Sequence, residues 1–272
     1  MAYDFKANIL LEGNIGTGKT YSTRTLITEN LVDELFVLSV EPGVETILGD
    51  MPKDRVHWKY ISPAKTEWST MIQNAKLVNS QSMEQLQKMQ WPTKKDYTQF
   101  IQVLETLSNF KCDRTGEEFG SVDEWGTNRA LGVDGLSGIS RMVMDMTTGA
   151  KPIKTQPEWG AAMDTVRQFV EKCCFDTGCT FVLLAHITKE KDEVSGAFLT
   201  TVDTLGNKLA PQIPKPFDEV VMTKRSQGKF SWSTEEAMTD LKARILPFSS
   251  QIEPNFKTIY EAYEKKIEEQ EG

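Results

Sequence analysis

Three absences bound what this chain can be. Its four cysteines, Cys112, Cys173, Cys174 and Cys179, include no Cys-x-x-Cys pair. Cys173 and Cys174 fall in a helical pattern, so buried free thiols are expected rather than disulfides or a zinc site. Positive charge is not in excess: 31 basic against 39 acidic side chains leave a net charge of −8. That excludes a protein coated in positive potential and confines any nucleic-acid contact to a local patch or a groove shared between subunits. Nor is there a long apolar run at the start, where Asp4 interrupts a short hydrophobic stretch. Neither a signal peptide nor a membrane span is expected, and the location read from this is cytoplasmic. There is also no fixed-period repeat.

What is present is the composition of an ordinary globular protein, 39% hydrophobic and 26% charged over 272 residues. The length admits one large domain or two small ones, and one core spanning 1–272 with an insertion is expected. Residues 8–12 form a short apolar run ending at Gly13, and a helix is expected over Lys19 to Asn30. Leu35–Val40 reads as a strand of a parallel sheet covered on both faces, broken by Glu41-Pro42-Gly43. Val56, Trp58 and Tyr60 alternate in a further strand. A mostly helical insertion follows over about 63–110, with Tyr97, Phe100, Ile101, Leu104 and Leu107 on one apolar face. A Gly-rich acidic loop leads into a strand at Arg129–Val133 that ends at Asp134. Thr155 and Glu158 make a capping box for an amphipathic helix through Cys173. Thr180–Ala185 is another buried strand, and 188–206 is expected as a loop. Strands at 217–222 and 229–233 and a helix over about 256–270 close the chain.

Gly13, Asn14, Ile15, Gly16, Thr17, Gly18, Lys19 and Thr20 satisfy G-x-x-x-x-G-K-[ST], between a strand and a helix as that motif requires. Its chemistry is phosphate binding. Successive backbone N–H groups and the start of the following helix, with Tyr21 in its first turn, surround phosphate oxygens. Lys19 neutralises the β/γ charge, and the Thr20 hydroxyl can ligate Mg²⁺. The alternative is a plain glycine-rich turn.

The remaining candidates sit at strand ends. Asp134 is the candidate second Mg²⁺ ligand, or otherwise a cap. The next residue is Gly135 rather than a glutamate, so a catalytic base must come from elsewhere. Glu41 would emerge at the same sheet edge and could orient and deprotonate water, unless it is merely a solvated turn acid. His186 follows the strand Thr180–Ala185 and could sense the γ-phosphate, or be structural. Lys242 and Arg244 would share one side of an extended segment and could stabilise transition-state charge across a subunit boundary, or be an exposed basic pair.

Taken together, the phosphate loop, Glu41, Val-Asp-Gly-Leu-Ser at 133–137, His186 and Lys-Ala-Arg at 242–244 resemble the RecA-like core ATPases. The resemblance is greatest to phage-encoded AAA-type nucleotide-binding proteins that include the RecA-like single-strand annealing proteins, and it extends to segments 157–160, 205–211 and 252–256. It implies an α/β RecA-like P-loop NTPase fold, a mostly parallel central sheet flanked by helices. It further implies ATP and Mg²⁺ as cofactors and a homo-oligomeric ring or filament. The implied partner is single-stranded DNA in recombination or replication, with a single-strand-binding protein as a further candidate. In this resemblance Lys19 and Thr20 take the phosphate and magnesium roles, Asp134 the metal-acid role, Glu41 the water-activating role and His186 the sensor role, with Lys242 and Arg244 as fingers in trans. The host cytoplasm is the implied location. For DNA contact, Lys151, Lys154, Lys189 and Lys191 are the candidate phosphate partners. A ring helicase or translocase motor, or a nucleotide switch with little turnover, would share the same site residues. A small-molecule phosphotransferase would need an arginine-rich lid, and none is evident.

Overall fold

The computed structural model describes residues 3–89, 94–191 and 196–271. Its central sheet is built from β1 (Asn8–Gly13), β2 (Glu34–Ser39), β3 (Val56–Tyr60), β4 (Arg129–Asp134), β5 (Thr180–Ala185) and β8 (Glu219–Ser226). These six pair parallel in the order β3-β2-β4-β5-β1-β8. β9 (Lys229–Ser233) and the two-residue β10 (Lys242–Ala243) pair antiparallel with β8, at its carboxyl and amino ends respectively. This is the mostly parallel, helix-flanked sheet that the RecA-like resemblance implies.

Burial on both faces explains the unbroken apolar runs of the strands. Leu10, Leu131, Val133, Phe181 and Leu183 face one core, shared with Phe100 and Val103 of α6 (Gln99–Ser108), Ile139 of α7 (Leu136–Thr148), Val166 and Phe169 of α8 (Gln156–Phe175) and Leu209 of the short α9 (Gly206–Leu209). Ile9, Leu11, Ala130, Val182 and Leu184 face the other. There they meet Leu26 of α2 (Thr25–Thr28), Leu48 of α3 (Val44–Leu48) and Phe256, Ile259 and Tyr260 of α10 (Phe256–Glu271). All four cysteines are free and buried, and burial pushes the Cys179 thiol up to about 11. No helix among the described residues is long and apolar enough to cross a membrane.

Several elements differ from the sequence reading. The helix expected over 19–30 is two short turns, α1 (Lys19–Ser22) and α2. The hydroxyls of Ser22, Thr23 and Thr25 each donate to the carbonyl three residues back, so this Ser/Thr-rich stretch competes with its own ladder. The expected loop at 188–206 contains a hairpin, β6 (Ile187–Lys191) against β7 (Phe198–Val202), whose β-branched and aromatic residues suit paired strands; 192–195 lie outside the described residues. Between β3 and β4 the chain forms α4 (Trp68–Ser80), α5 (Met83–Lys88) and α6, with 90–93 outside the described residues. On α6 the buried face runs through Phe100, Val103, Thr106 and Leu107. Ile101 and Leu104 are exposed, and Tyr97 precedes the first turn. The pattern offers two neighbouring stripes, and contact with α7 selects one of them.

His57 on β3 is buried between Phe36 and Phe119, with ring centroids 4.8 and 4.2 Å away. Burial holds its pKa below the ordinary value although Glu34 lies 3.5 Å away. The unfolded chain therefore takes up a proton that the fold resists, and stability should fall as pH drops through about 6.5. Denaturant midpoints measured at about pH 7.5 and about pH 5.5 should separate less in His57→Phe than in the parent protein.

Candidate functional site

Parallel strands place their carboxyl ends on one edge, and four of the candidates meet there. Gly13 ends β1, Glu41 lies two residues beyond β2, Asp134 ends β4 and His186 follows β5. The register sets Asp134 level with Ser39 and Leu184, and Glu12 level with Ala185. The loop from Gly13 turns through Gly16 and Gly18, both at positive φ (73° and 87°), where a side chain would be strained. Gly13 itself is needed for space: a Cβ there would lie 2.2 Å from Thr223 Oγ1 and 2.6 Å from the Thr223 carbonyl.

Lys19, buried at the start of α1, donates from Nζ to the carbonyls of Gly13 (2.8 Å) and Asn14 (3.0 Å), and sits 3.3 Å from His186 Nδ1. On the far side of the ring, His186 Nε2 lies 3.0 and 3.1 Å from the two Glu41 carboxylate oxygens. Lys19, His186 and Glu41 thus form one continuous polar chain. With the imidazole neutral, Nε2–H donates to Glu41 and Nδ1 accepts from the lysine. Protonating Nδ1 sets two cations side by side. The hydrogen bond with Glu41 outweighs this opposition and raises the His186 pKa, while the same bond lowers that of Glu41.

Thr20 Oγ1 donates to Asp134 Oδ2 at 2.7 Å. Desolvation lifts the Asp134 pKa to about 6, outweighing the hydrogen bond from Thr20 and the nearby cationic groups Lys19 and His186. Adjacent hard oxygens, one of them a poorly solvated carboxylate, suit a hard divalent cation. Among the described residues no group of three or more His, Cys, Asp or Glu could hold a metal by itself. The donor set fits Mg²⁺ brought with phosphate oxygens, which Thr20 and Asp134 would hold and which would supply charge neutralisation.

The glycine after Asp134 has a steric reason. Gly135 has φ 110°, and a Cβ there would sit 2.7 Å from Val40 Cγ2 and 3.0 Å from Glu41 Cγ. The Val40 methyl occupies the space that a side chain at 135 would fill, with Glu41 packed alongside.

Lys242 and Arg244 are not brought to the loop. Lys242 pairs with Val220 near the amino end of β8, and its ammonium donates to the carbonyls of Lys215 (3.1 Å) and Phe217. Arg244 pairs with Asp218 at 2.6 Å, and Glu219 accepts the backbone N–H of Ile245 at 2.8 Å. The acids at 218 and 219 fasten this segment to the sheet's opposite edge. Any contact of these two cations with a phosphate loop would have to be with another subunit's. Lys151 is likewise spent: it is buried and ion-paired with the capping Glu158, and Lys154 donates to the Lys151 carbonyl. Lys189 and Lys191 are exposed on β6, and Lys189 lines an open cleft of about 620 Å³ beside Asn14 and Ile15.

The sequence reading missed the groups that reach the loop from β8 and β9. Thr223 Oγ1 is 2.7 Å from Thr17 Oγ1. Arg225 approaches Gly16, and the half-exposed Phe230 ring lies 3.2 Å from where a Cβ of Gly18 would be. Glu12, directly before the loop, is buried, and desolvation pushes its pKa up to about 8. The one available signal was the polar interruption of an otherwise apolar strand.

No protein-family model matches this chain, and no curated protein does. Solved structures similar to it include an ATPase from the type III secretion system of pathogenic bacteria, at 10% identity and TM-score 0.46, covering 81% of this chain and 53% of that one. Another is the assembled ATPase EscN from the type III secretion system of enteropathogenic E. coli, at 10% identity and TM-score 0.47, covering 96% and 52%. A third is the pCW3 conjugation coupling protein TcpA, a monomer form with ATPgS, at 13% identity and TM-score 0.35, covering 97% and 66%. The chain spans about half the length of the first two.

Two outcomes are expected. Asp134→Asn should lose the Mg²⁺-dependent part of nucleotide affinity, by about tenfold or more, and in the parent protein that part should weaken as pH falls through about 6. Titration of a fluorescent ATP analogue with and without Mg²⁺ reads both. The Glu41–His186 pair has its own window. Its stabilisation is present above about pH 4.5, where Glu41 is ionised, and complete below about 6.5, and it fades as pH rises through the raised His186 value. Glu41→Gln should therefore lower the thermal midpoint more at about pH 6 than at about pH 8.

Proposed function

We propose that this chain binds and hydrolyses ATP with Mg²⁺ and couples the nucleotide state to single-stranded DNA in recombination or replication, acting as a ring or filament of identical subunits. The observation that carries the reading is the convergence of Thr20–Asp134 and of the Lys19–His186–Glu41 chain on one phosphate loop. In this reading the loop N–H groups and Lys19 take the β- and γ-phosphates, and Thr20 and Asp134 hold the cation. Glu41 orients the attacking water and accepts its proton. His186, bonded to both Lys19 and Glu41, is the group whose partners change when a γ-phosphate is present or lost. Its carbonyl accepts the N–H of Asp203 at 2.8 Å, closing the base of the β6–β7 hairpin. A change at the ring therefore has a short path to Lys189 and Lys191, which would contact DNA phosphates. The net charge of −8 is compatible with this because the contact is confined to one hairpin and its cleft. A single-strand-binding protein is a further candidate partner.

A ring helicase or translocase motor would use the same residues, and directional unwinding of a forked duplex would favour it. The deciding assay is ATP hydrolysis with and without single-stranded DNA. Stimulation by DNA, abolished in Lys19→Ala, is the expected result. Glu41→Gln should lower turnover by about 10²–10⁴-fold while nucleotide still binds. Hydrolysis indifferent to DNA would turn the reading toward a protein-partner motor, and unchanged slow hydrolysis in Glu41→Gln toward a nucleotide switch.

A further inference from the structure

The phosphate loop contains glycines at 13, 16 and 18. Ordering its N–H groups for a phosphate therefore costs more conformational entropy than it would in a loop of ordinary residues, and affinity gains if the loop is held in shape beforehand. Lys19 restrains the Gly13 and Asn14 carbonyls, but that ammonium is the group offered to phosphate in the reading above. A restraint for which no ligand competes comes from β8.

Gly13 is level with Thr223 in the parallel pairing of β1 with β8. The Thr223 hydroxyl lies 2.7 Å from that of Thr17 and 3.1 Å from the Glu12 carbonyl. Thr17 in turn donates to the Asn14 carbonyl at 2.8 Å. A hydroxyl has a single proton to give. With the Thr17 proton on Asn14, the 2.7 Å contact is made by the Thr223 proton, so Thr223 is the donor that ties the loop to the sheet. Both side chains are buried, and a partner lost there is not readily replaced by water. The pair also accounts for the first glycine of the motif. A Cβ on Gly13 would lie 2.2 Å from Thr223 Oγ1 and 3.1 Å from Thr17 Oγ1, which means that the two hydroxyls occupy the place of a side chain at 13. Phe230 of β9 packs toward Gly18 from the same flank.

We infer that Thr223 is a positioning residue for nucleotide binding: its hydroxyl, acting through Thr17, holds the phosphate loop in the shape that receives phosphate. The inference rests on the reading of the loop as a nucleotide site, and not on hydrolysis, DNA or assembly. Asp134, Glu41 and His186 stand at the ends of β4, β2 and β5, which lie on the other side of β1 from β8. The effect of Thr223 therefore falls on the grip on phosphate and not on the cation.

Affinity for a fluorescent ATP analogue, titrated with and without Mg²⁺, tests it. Thr223→Val keeps the shape and removes the hydroxyl; it should weaken binding by about tenfold, and by the same factor with and without the cation. Thr223→Ser should restore the parent affinity, which a merely structural role for the side chain would not require. Added to Thr17→Val, Thr223→Val should cost little more, because the bridge is already broken. If Thr223→Val does not fold, Thr223→Ala, which leaves space instead of a misplaced methyl, carries the same expectations. Parent-like affinity without the hydroxyl, a loss that Thr223→Ser does not recover, or full additivity with Thr17→Val would overturn the inference and leave the nucleotide site standing. A parent protein that does not bind the analogue would overturn both.

Discussion

An open parallel sheet collects the carboxyl ends of its strands on one edge, and here that edge gathers charge which an apolar interior does not tolerate singly. Lys19 and Asp134 are both buried, and Glu41 and His186 are partly so. Desolvation acts on each of them, lowering Lys19 and raising Asp134. What makes the cluster tenable is mutual compensation: Asp134 and Glu41 offset the Lys19 charge, the imidazole bonds to glutamate and the threonine hydroxyl to aspartate. Removing one member strands the others with unmet charge, at a cost larger than any single contact would suggest. The rest of the fold follows from holding these four groups in register. The two apolar cores fix the strands, and the strands fix the edge.

The parts of this arrangement that could be read in the sequence are those written locally. The phosphate loop is eight consecutive residues, and the strand-end positions of Asp134 and His186 follow from where an apolar run stops. Glu41 could be placed at the same edge because β2 is equally continuous. The Lys-Ala-Arg segment could not be placed, because its position depends on a two-residue antiparallel pairing with β8 and on Asp218 and Glu219 gripping it from a distant part of the chain. Phe230, Arg225 and Thr223 were hidden for the same reason: they reach the loop across a strand pairing that leaves no local mark. Lys151 looked like a surface cation, but the capping carboxylate of Glu158 draws it inward.

Local rules also leave a tie that tertiary contact must break. On α6 two overlapping stripes are available, one through Phe100, Val103 and Leu107 and another through Ile101 and Leu104. The apposed α7 takes the first. The second is left facing outward, next to a cavity and on the same segment as a helix with no buried residue.

The glycine at 135 ties the chemistry to the backbone. In many nucleotide hydrolases a catalytic acid directly follows the metal-binding aspartate, but here that position has φ 110° and lies against Val40 and the Glu41 side chain. A side chain there would be strained by the positive φ and would collide with the Val40 methyl, with Glu41 Cγ at 3.0 Å beside it. In this geometry the acid stands at the end of the neighbouring strand, with glycine beside it in a left-handed conformation. Placing the acid on β2 has a further consequence, since Glu41 then reaches His186 on the far side of β4. The candidate base and the candidate sensor become one hydrogen-bonded pair, so a change of partner at either is felt at the other without any movement of the sheet.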